Sequence, residues 1–339
     1  TGGASGGSGG ASATGGTGGS VATGGAGGDA TGPMGDAIDA NVAKALCVAV
    51  DGTYAYWSTD GGQKLQRHKK DGSGTTETFY SSTRLINQIT VDADTVYWSE
   101  TFGGGDTTNG ALRSCPQAGC PAAPPTLAMN QQDPAGVAVD DTYIYWCNGG
   151  TRDCYRTNKS TGNGGNTIFK VPPSSALDYS TPSEIAADAS AVFFAATGTA
   201  VAGMHFGTVA SCPLTGCTTT IMPTVVGMNV PASGLALDAT HVFWTSSSGM
   251  SWQADKNGAN KVMLGAGGVD IVTDGINVYW SAPNTIYKCA VGGCAAPTAL
   301  ATTTTGARGM AIDATHVYWA EYGAVYPDAI AGGIRRIAK

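Results

Sequence analysis

Nine cysteines are the side chains in this sequence best equipped for chemistry, and eight of them fall into close pairs. Cys115/Cys120 (CPQAGC), Cys212/Cys217 (CPLTGC) and Cys289/Cys294 (CAVGGC) share one spacing, and Cys147/Cys154 (CNGGTRDC) is a longer variant. A zinc site would want C-x2-C pairs or a nearby histidine, and neither accompanies them. The pairs are therefore expected to be four local disulfides, which places the chain in an oxidising compartment. Each small loop adds roughly 2 kcal/mol by restricting the unfolded chain. Cys47 is left over inside an apolar run, where a buried structural thiol is expected.

Catalytic patterns are harder to find. His241 and His316 occupy the same position in two DATHV segments, so repetition explains them better than a catalytic pair does. His68 and His205 stand apart. Gly3-Ala4-Ser5-Gly6-Gly7 has the letters of a hydrolase elbow but no strand-to-helix context. P-loop, EF-hand and zincin patterns do not occur. Asn158-Lys159-Ser160 and Thr302–Thr305 are acceptors for sugar by pattern alone. The expectation is a chain with no catalytic residue, no metal and no cofactor, hence not an enzyme.

Composition narrows the partners. Of the 339 residues only 13% are charged, against about 25% in an average domain, and Gly accounts for 51. The net charge of −7 disfavours nucleic acid and anionic membrane. No apolar run approaches the roughly 20 residues of a membrane span. The chain starts at Thr1 rather than Met, which fits removal of a leader and an extracellular or cell-surface location.

The elements that must position these residues repeat. A short apolar strand ending in Asp, a turn and an aromatic pair recur seven times, from VAVDGTYAYW (Val48–Trp57) to MAIDATHVYW (Met310–Trp319). The repeated aspartates are Asp51, Asp92, Asp140, Asp188, Asp238, Asp274 and Asp313, spaced 36 to 50 apart, the length of a four-stranded propeller blade. The expected fold is all-β: a seven-bladed β-propeller over residues 34–339. Third strands follow at Leu112–Cys115, Val209–Cys212 and Ile286–Cys289, each closed to a fourth by its C-x4-C bridge. Blades one and five put Asp71-Gly72 and Asn257-Gly258 at that turn instead, both favoured where φ is positive. The repeated Asp is expected to cap the turn after it, and Tyr and Trp to pack against opposite neighbouring blades.

The aromatic pairs resemble the YWTD propellers of low-density-lipoprotein-receptor-type proteins, with Tyr56-Trp57-Ser58-Thr59-Asp60 coming closest. The other repeats depart from it, reading YWSE, YWCN, FFAA, FWTS, YWSA and YWAE. The layout is also similar to secreted bacterial repeat proteins with a Gly-rich leader segment. What the resemblance implies is the fold, without a ligand site.

The last blade stops one strand short. Residues 34–45 supply the missing one: Ile38 stands 13 before Asp51, as Leu127 stands before Asp140 and Leu300 before Asp313. This closing strand would belong to its own subunit or to a neighbour's. Residues 1–33 form a tail with a nine-residue period. In a polyproline II helix, three residues per turn would align Gly6, Gly9, Gly15, Gly18, Gly24 and Gly27 on one face. Such faces suit packing against other chains, so a self-assembling structural protein, a homo-oligomer or filament, is expected. The alternative is a tethered propeller that binds glycan or protein through the long connections between second and third strands. These are Glu100–Gly110, Cys147–Asn166, Thr197–Gly207 and Glu321–Gly332, which carry Phe102, Tyr155, Arg156, Phe206, Tyr322 and Tyr326.

Overall fold

Short strands rich in β-branched and aromatic residues, punctuated by Asp-led turns, have no helical period to compete with them. The computed structural model describes residues 32–339 other than 43, 60–62, 103–107, 163, 171–180, 198–199, 202–203, 206, 218–222, 229–231, 247 and 324–331. Among these residues there is no helix, and seven four-stranded antiparallel sheets form the blades of a propeller, with a two-stranded hairpin beside the fourth. The innermost strands are Ala45–Val50, Leu85–Val91, Pro134–Val139, Thr181–Ala187, Ala232–Leu237, Ile271–Thr273 and Ala307–Ile312. Each packs beside the next, and the seventh packs beside the first, so the ring is closed.

Two regularities build it. The first is the turn. Each repeated Asp accepts the backbone N–H groups two and three residues on through Oδ1, for example Thr142 and Tyr143 onto Asp140 at 2.7 Å each. Its Oδ2 is then free for the tyrosine five residues on: Tyr56, Tyr97, Tyr145, Tyr279 and Tyr318 all donate their hydroxyl to it, Tyr145 at 2.6 Å. The capping role was legible in the sequence; the tyrosine bond that locks the aromatic pair to the turn was not. The tryptophan beside each tyrosine faces the other side of the sheet and is fully buried, from Trp57 to Trp319.

The second is a β-bulge in every outer strand, where one residue has no partner across the ladder. The seven extra residues are Ile38, Phe79, Leu127, Ile168, Val226, Leu264 and Leu300, all apolar. A bulge re-aims its side chain, and here it turns an apolar group inward, into the hydrophobic clusters that join adjoining blades.

The last blade is completed within the chain. Asp36–Asp39 pairs antiparallel with Gly333–Ala338, and bulged Ile38 packs with Val48, Trp57, Tyr318 and Ile334. Just ahead of it, Met34 bridges to Thr302, and the Gly32 and Pro33 carbonyls accept bonds from Thr302. The tail glycines Gly6, Gly9, Gly15, Gly18, Gly24 and Gly27 lie outside the described residues.

Four disulfides are present, Cys115–Cys120, Cys147–Cys154, Cys212–Cys217 and Cys289–Cys294, with Cys47 a free, buried thiol. Three of them close the third-to-fourth hairpin. The other, Cys147–Cys154, ties second strand to third, because Tyr143–Asn148 pairs directly with Cys154–Asn158. This corrects one expectation: blade three has no long connection running to Asn166.

A candidate site in the central channel

The inner strands begin on the face that carries the second-to-third connections and end at the Asp turns on the other face. Near their starts the ladder to the second strand is irregular in six of the seven blades. There the residues four before each repeated Asp come together around the axis: Cys47, Gln88, Gly136, Glu184, Gly234, Asp270 and Gly309. They surround a cavity of about 400 Å³ lined by all seven inner strands.

The glycines in this set make the geometry possible. A Cβ on Gly136 would stand 2.8 Å from the Glu184 backbone, one on Gly234 2.8 Å from Asp270 Cα, and one on Gly309 2.6 Å from Cys47 Cα. Blades three, five and seven thus yield space to the side chains of blades four, six and one. With Gly136 between them, Gln88 and Glu184 reach across blade three, Gln88 Nε2 donating to Glu184 Oε2 at 3.4 Å. Asp270 accepts the Met310 N–H through Oδ2 at 2.7 Å and the Ile271 N–H through Oδ1 at 2.8 Å. Seryl oxygens in the second strands fix the backbone: Ser99 accepts the Gln88 N–H at 3.2 Å, and Ser281 accepts the Asp270 N–H at 3.0 Å.

Both acids are pushed toward their neutral forms. Burial lifts the Glu184 carboxyl well above the usual carboxylate range, and the nearby Asp270 charge adds to it. Burial raises Asp270 to about 7, against the pull of its two backbone N–H donors. Cys47 Sγ lies 3.0 Å from Ser58 Oγ, and burial raises its thiol to about 11. Close to neutral pH the cavity therefore holds one carboxyl, Asp270, that is half ionised, and a second, Glu184, that is shifted toward its protonated form. At the rim, Arg308 places its guanidinium 4.4 Å from the centre of the Tyr322 ring. A second cavity, about 370 Å³, lies at the turn end between the first and last blades. Two of its cations serve the structure: Lys70 pairs with Asp313 at 2.6 Å, and Arg336 donates to the Lys70 carbonyl.

Two of the candidate loop residues are not in a loop. Tyr155 and Arg156 lie in the third strand Cys154–Asn158. Tyr155 stacks on Trp146 at 5.6 Å, and Arg156 covers the Tyr143 ring while donating to the Leu214 carbonyl of the next blade. They hold blades together because the Cys147–Cys154 bridge draws them into the hairpin. Phe102 is exposed, with Arg84 5.6 Å from its ring centre. Tyr322 packs on Arg308, whereas Phe206 and Tyr326 lie outside the described residues.

Glu184 and Asp270 were missed by sequence reasoning, which looked for catalytic histidines and known motifs. The signal was a column of the repeat: four before each Asp, the letters run Cys, Gln, Gly, Glu, Gly, Asp, Gly. Carboxylates in an inner strand with no basic neighbour are costly, and such a cost marks functional candidates.

No protein-family model and no curated protein matches this sequence. Solved structures similar to it are propellers of varied function. One is a chain of a nidogen/laminin complex, 14% identical with a TM-score of 0.56, covering 77% of this chain and 98% of its own. Another is a catalytically inactive virginiamycin B lyase from Staphylococcus aureus with quinupristin, 11% identical with a TM-score of 0.63, covering 89% of this chain and 98% of its own. A third is a gluconolactonase from Xanthomonas campestris, 12% identical with a TM-score of 0.51, covering 89% of each chain. Identities this low show the fold alone: a seven-bladed β-propeller. They also overturn the expectation that the chain is not an enzyme. That expectation leaned on the lack of catalytic motifs in a repeat protein, yet a lyase and a lactonase share this form, and here blades distant in sequence bring two perturbed acids together.

Proposed function

We propose that this protein is an exported propeller whose central channel binds a small polar molecule and exchanges protons with it. The observation that carries this reading is the convergence of Glu184 and Asp270, both shifted toward neutrality, on one cavity of about 400 Å³. A concave pocket in which acids with perturbed pKa values converge is the usual form of a candidate reaction site. Asp270, titrating at about 7, is suited to act as general base, and protonated Glu184 to act as general acid. Gln88 orients the Glu184 carboxyl, and the backbone N–H groups of Ile271 and Met310 hold Asp270. That enzymes occur among the structural neighbours supports the reading at the level of fold. The four disulfides support an oxidising, extracellular setting.

The test is equilibrium dialysis of the whole protein against a mixed pool of small polar metabolites, read by mass spectrometry. Val269 is an exposed residue at the channel mouth, so Val269→Trp should plug the channel without disturbing the blades. The wild type should retain or convert at least one compound that the plugged variant ignores. Identical profiles would overturn the reading.

Self-assembly through the tail stands as a separate proposal, supported by its nine-residue period. Because Asp36–Asp39 is seated in its own ring, assembly would run through residues 1–31 without strand exchange. Gly18→Val with Gly27→Val should then reduce particle size in light scattering and leave the propeller folded. Equal sizes would remove this role.

A further inference from the structure

We propose that the ligand of the central channel is a small hydroxylated carboxylate, with its anionic group held by Arg308 and its hydroxyl groups by the channel amides and acids. This inference rests on the channel being the ligand site. Its first support is the state of Arg308. Six cations elsewhere in the ring are paired with carboxylates: Lys70, Lys159, Lys256 and Lys339 each with a turn aspartate, and Arg113 and Arg335 with buried Glu100 and Glu321. Arg308 lines the channel, is exposed, and among the described residues makes no ion pair with a carboxylate. The Tyr322 ring steadies the guanidinium from one side, and among the described residues no group accepts a hydrogen bond from it. A planar fork with five donors, pre-oriented at a cavity rim, matches a carboxylate.

The second support is the lining. Arg308 lies two residues from Met310, whose N–H holds Asp270, so the cation and the proton-exchanging acid share one sector of the channel. Asn87, Gln88 and Ser233 bring amides and a hydroxyl, the groups that bind sugar-like hydroxyls. The titratable or charged groups that the inner strands present to this cavity are Cys47, Glu184, Asp270 and Arg308. Cys47 is neutral here and Glu184 is shifted toward its neutral form, so the change in charge near neutral pH is set by Asp270 against the fixed charge of Arg308. Below pH 7 the guanidinium prevails and an anion is welcome; as pH rises through about 7, Asp270 ionises and opposes it.

The probes are D-galacturonate, D-galactose and D-galactosamine, which share a ring and differ in charge, titrated calorimetrically into the whole protein. At pH 6, galacturonate should bind at least about tenfold more tightly than galactose, and galactosamine should bind least. Arg308→Met should lower galacturonate affinity about tenfold, and Arg308→Lys should recover part of it. Wild-type affinity for galacturonate should fall severalfold between pH 6 and pH 8.5. Equal binding of galactose and galacturonate, both abolished by Val269→Trp, would overturn the anion assignment and leave the channel reading intact. Galacturonate binding that survives Val269→Trp would overturn the channel reading itself. Unchanged affinity in Arg308→Met, or no binding of galacturonate at all, would overturn the assignment of the anion to Arg308.

Discussion

The two ends of the same inner strands hold the same functional group in opposite states. At the turn end, seven aspartates are surrounded by donors. Burial works against the Asp188 charge, but Lys256, the Ser190 hydroxyl and two backbone N–H groups outweigh it and hold that carboxyl at about 2. Asp274, likewise opposed by burial, is held at about 2 by Lys339 and the N–H groups of Asn277 and Ile276. Four residues earlier, Asp270 has two donors and no cation, and burial wins, lifting it to about 7. Asp270 is both more deeply buried than the turn aspartates and served by fewer donors, and the two differences together decide the outcome. The donors around the turn aspartates favour their charged form, whereas burial pushes Glu184 and Asp270 toward the neutral form.

The largest effect expected from breaking this contrast is at the turn. Asp140→Ala strips acceptors from the Thr142 and Tyr143 N–H groups and from the buried Tyr145 hydroxyl at once. The loss should be about 2–4 kcal/mol in urea unfolding, since donors left without partners cost more than a bond contributes. Asp140→Asn keeps both oxygen positions partly served and should lose less. A stable Asp140→Ala variant would mean that the bond network is not what fixes the blades.

Cys47 sharpens the contrast from the channel side, because it occupies the same repeat column as Glu184 and Asp270. With its thiol at about 11, it should be alkylated at pH 8 on the order of a hundredfold more slowly than an ordinary free cysteine. After denaturation, one thiol and four disulfides should be counted by mass. Labelling at an ordinary rate in the native state would show that the channel floor is open to water and would weaken the case for shifted acids there.

The pH profile of stability should carry both signatures. For Asp92, Asp140, Asp188, Asp238, Asp274 and Asp313 the folded-state pKa is depressed, so their contribution is present above about pH 4 and is lost as pH falls toward 2. For the channel acids it is raised. The unfolded chain gives up those protons near pH 4 while the folded chain keeps them, so stability declines from about pH 4 toward pH 7. A maximum in weakly acidic solution follows. Glu184→Gln should gain stability over the wild type at pH 8 and lose that gain at pH 4. A variant with the same profile as the wild type would remove the buried-acid argument.

The fold was legible because its determinants are local and repeated seven times. Asp-turn-aromatic units announce the inner two strands, and the C-x4-C loops announce the outer turn. The apolar residue 13 before Asp marks an outer strand in several blades, and Ile38 shares that spacing with Leu127 and Leu300. The bulge that explains the spacing became visible only in the register. Blade three misled because its cysteine pair sits one hairpin earlier than the others, so Tyr155 and Arg156 were assigned to a loop they do not occupy. The site was hidden for a different reason. Its acids stand 86 residues apart in unlike local sequences, and only ring closure sets them around one cavity. Their meaning also depends on glycines in other blades, whose missing Cβ atoms allow the close approach.

The smallest effect tests whether the inter-blade lysines are what separates the two classes of acid. Lys256 reaches from blade five to Asp188 of blade four at 2.5 Å, and Asp188 has no tyrosine partner because Phe193 stands where five of the blades carry tyrosine. Lys256→Met keeps the aliphatic stem that packs on the turn and removes only the charge. Asp188 should then titrate well above about 2, since burial is opposed only by the Ser190 hydroxyl and backbone N–H groups. Carbon-13 detection of the carboxyl resonance would follow the change directly. The stability cost at pH 7 should be modest, about 0.5–1 kcal/mol, because the pair is partly open to solvent and water replaces some of what the lysine supplied. The same substitution should leave Asp270 at about 7, since the channel lies at the other end of the strands. If Asp188 kept its low value without Lys256, the backbone donors alone would set the turn aspartates apart. The four lysines would then serve only to bind one blade to the next.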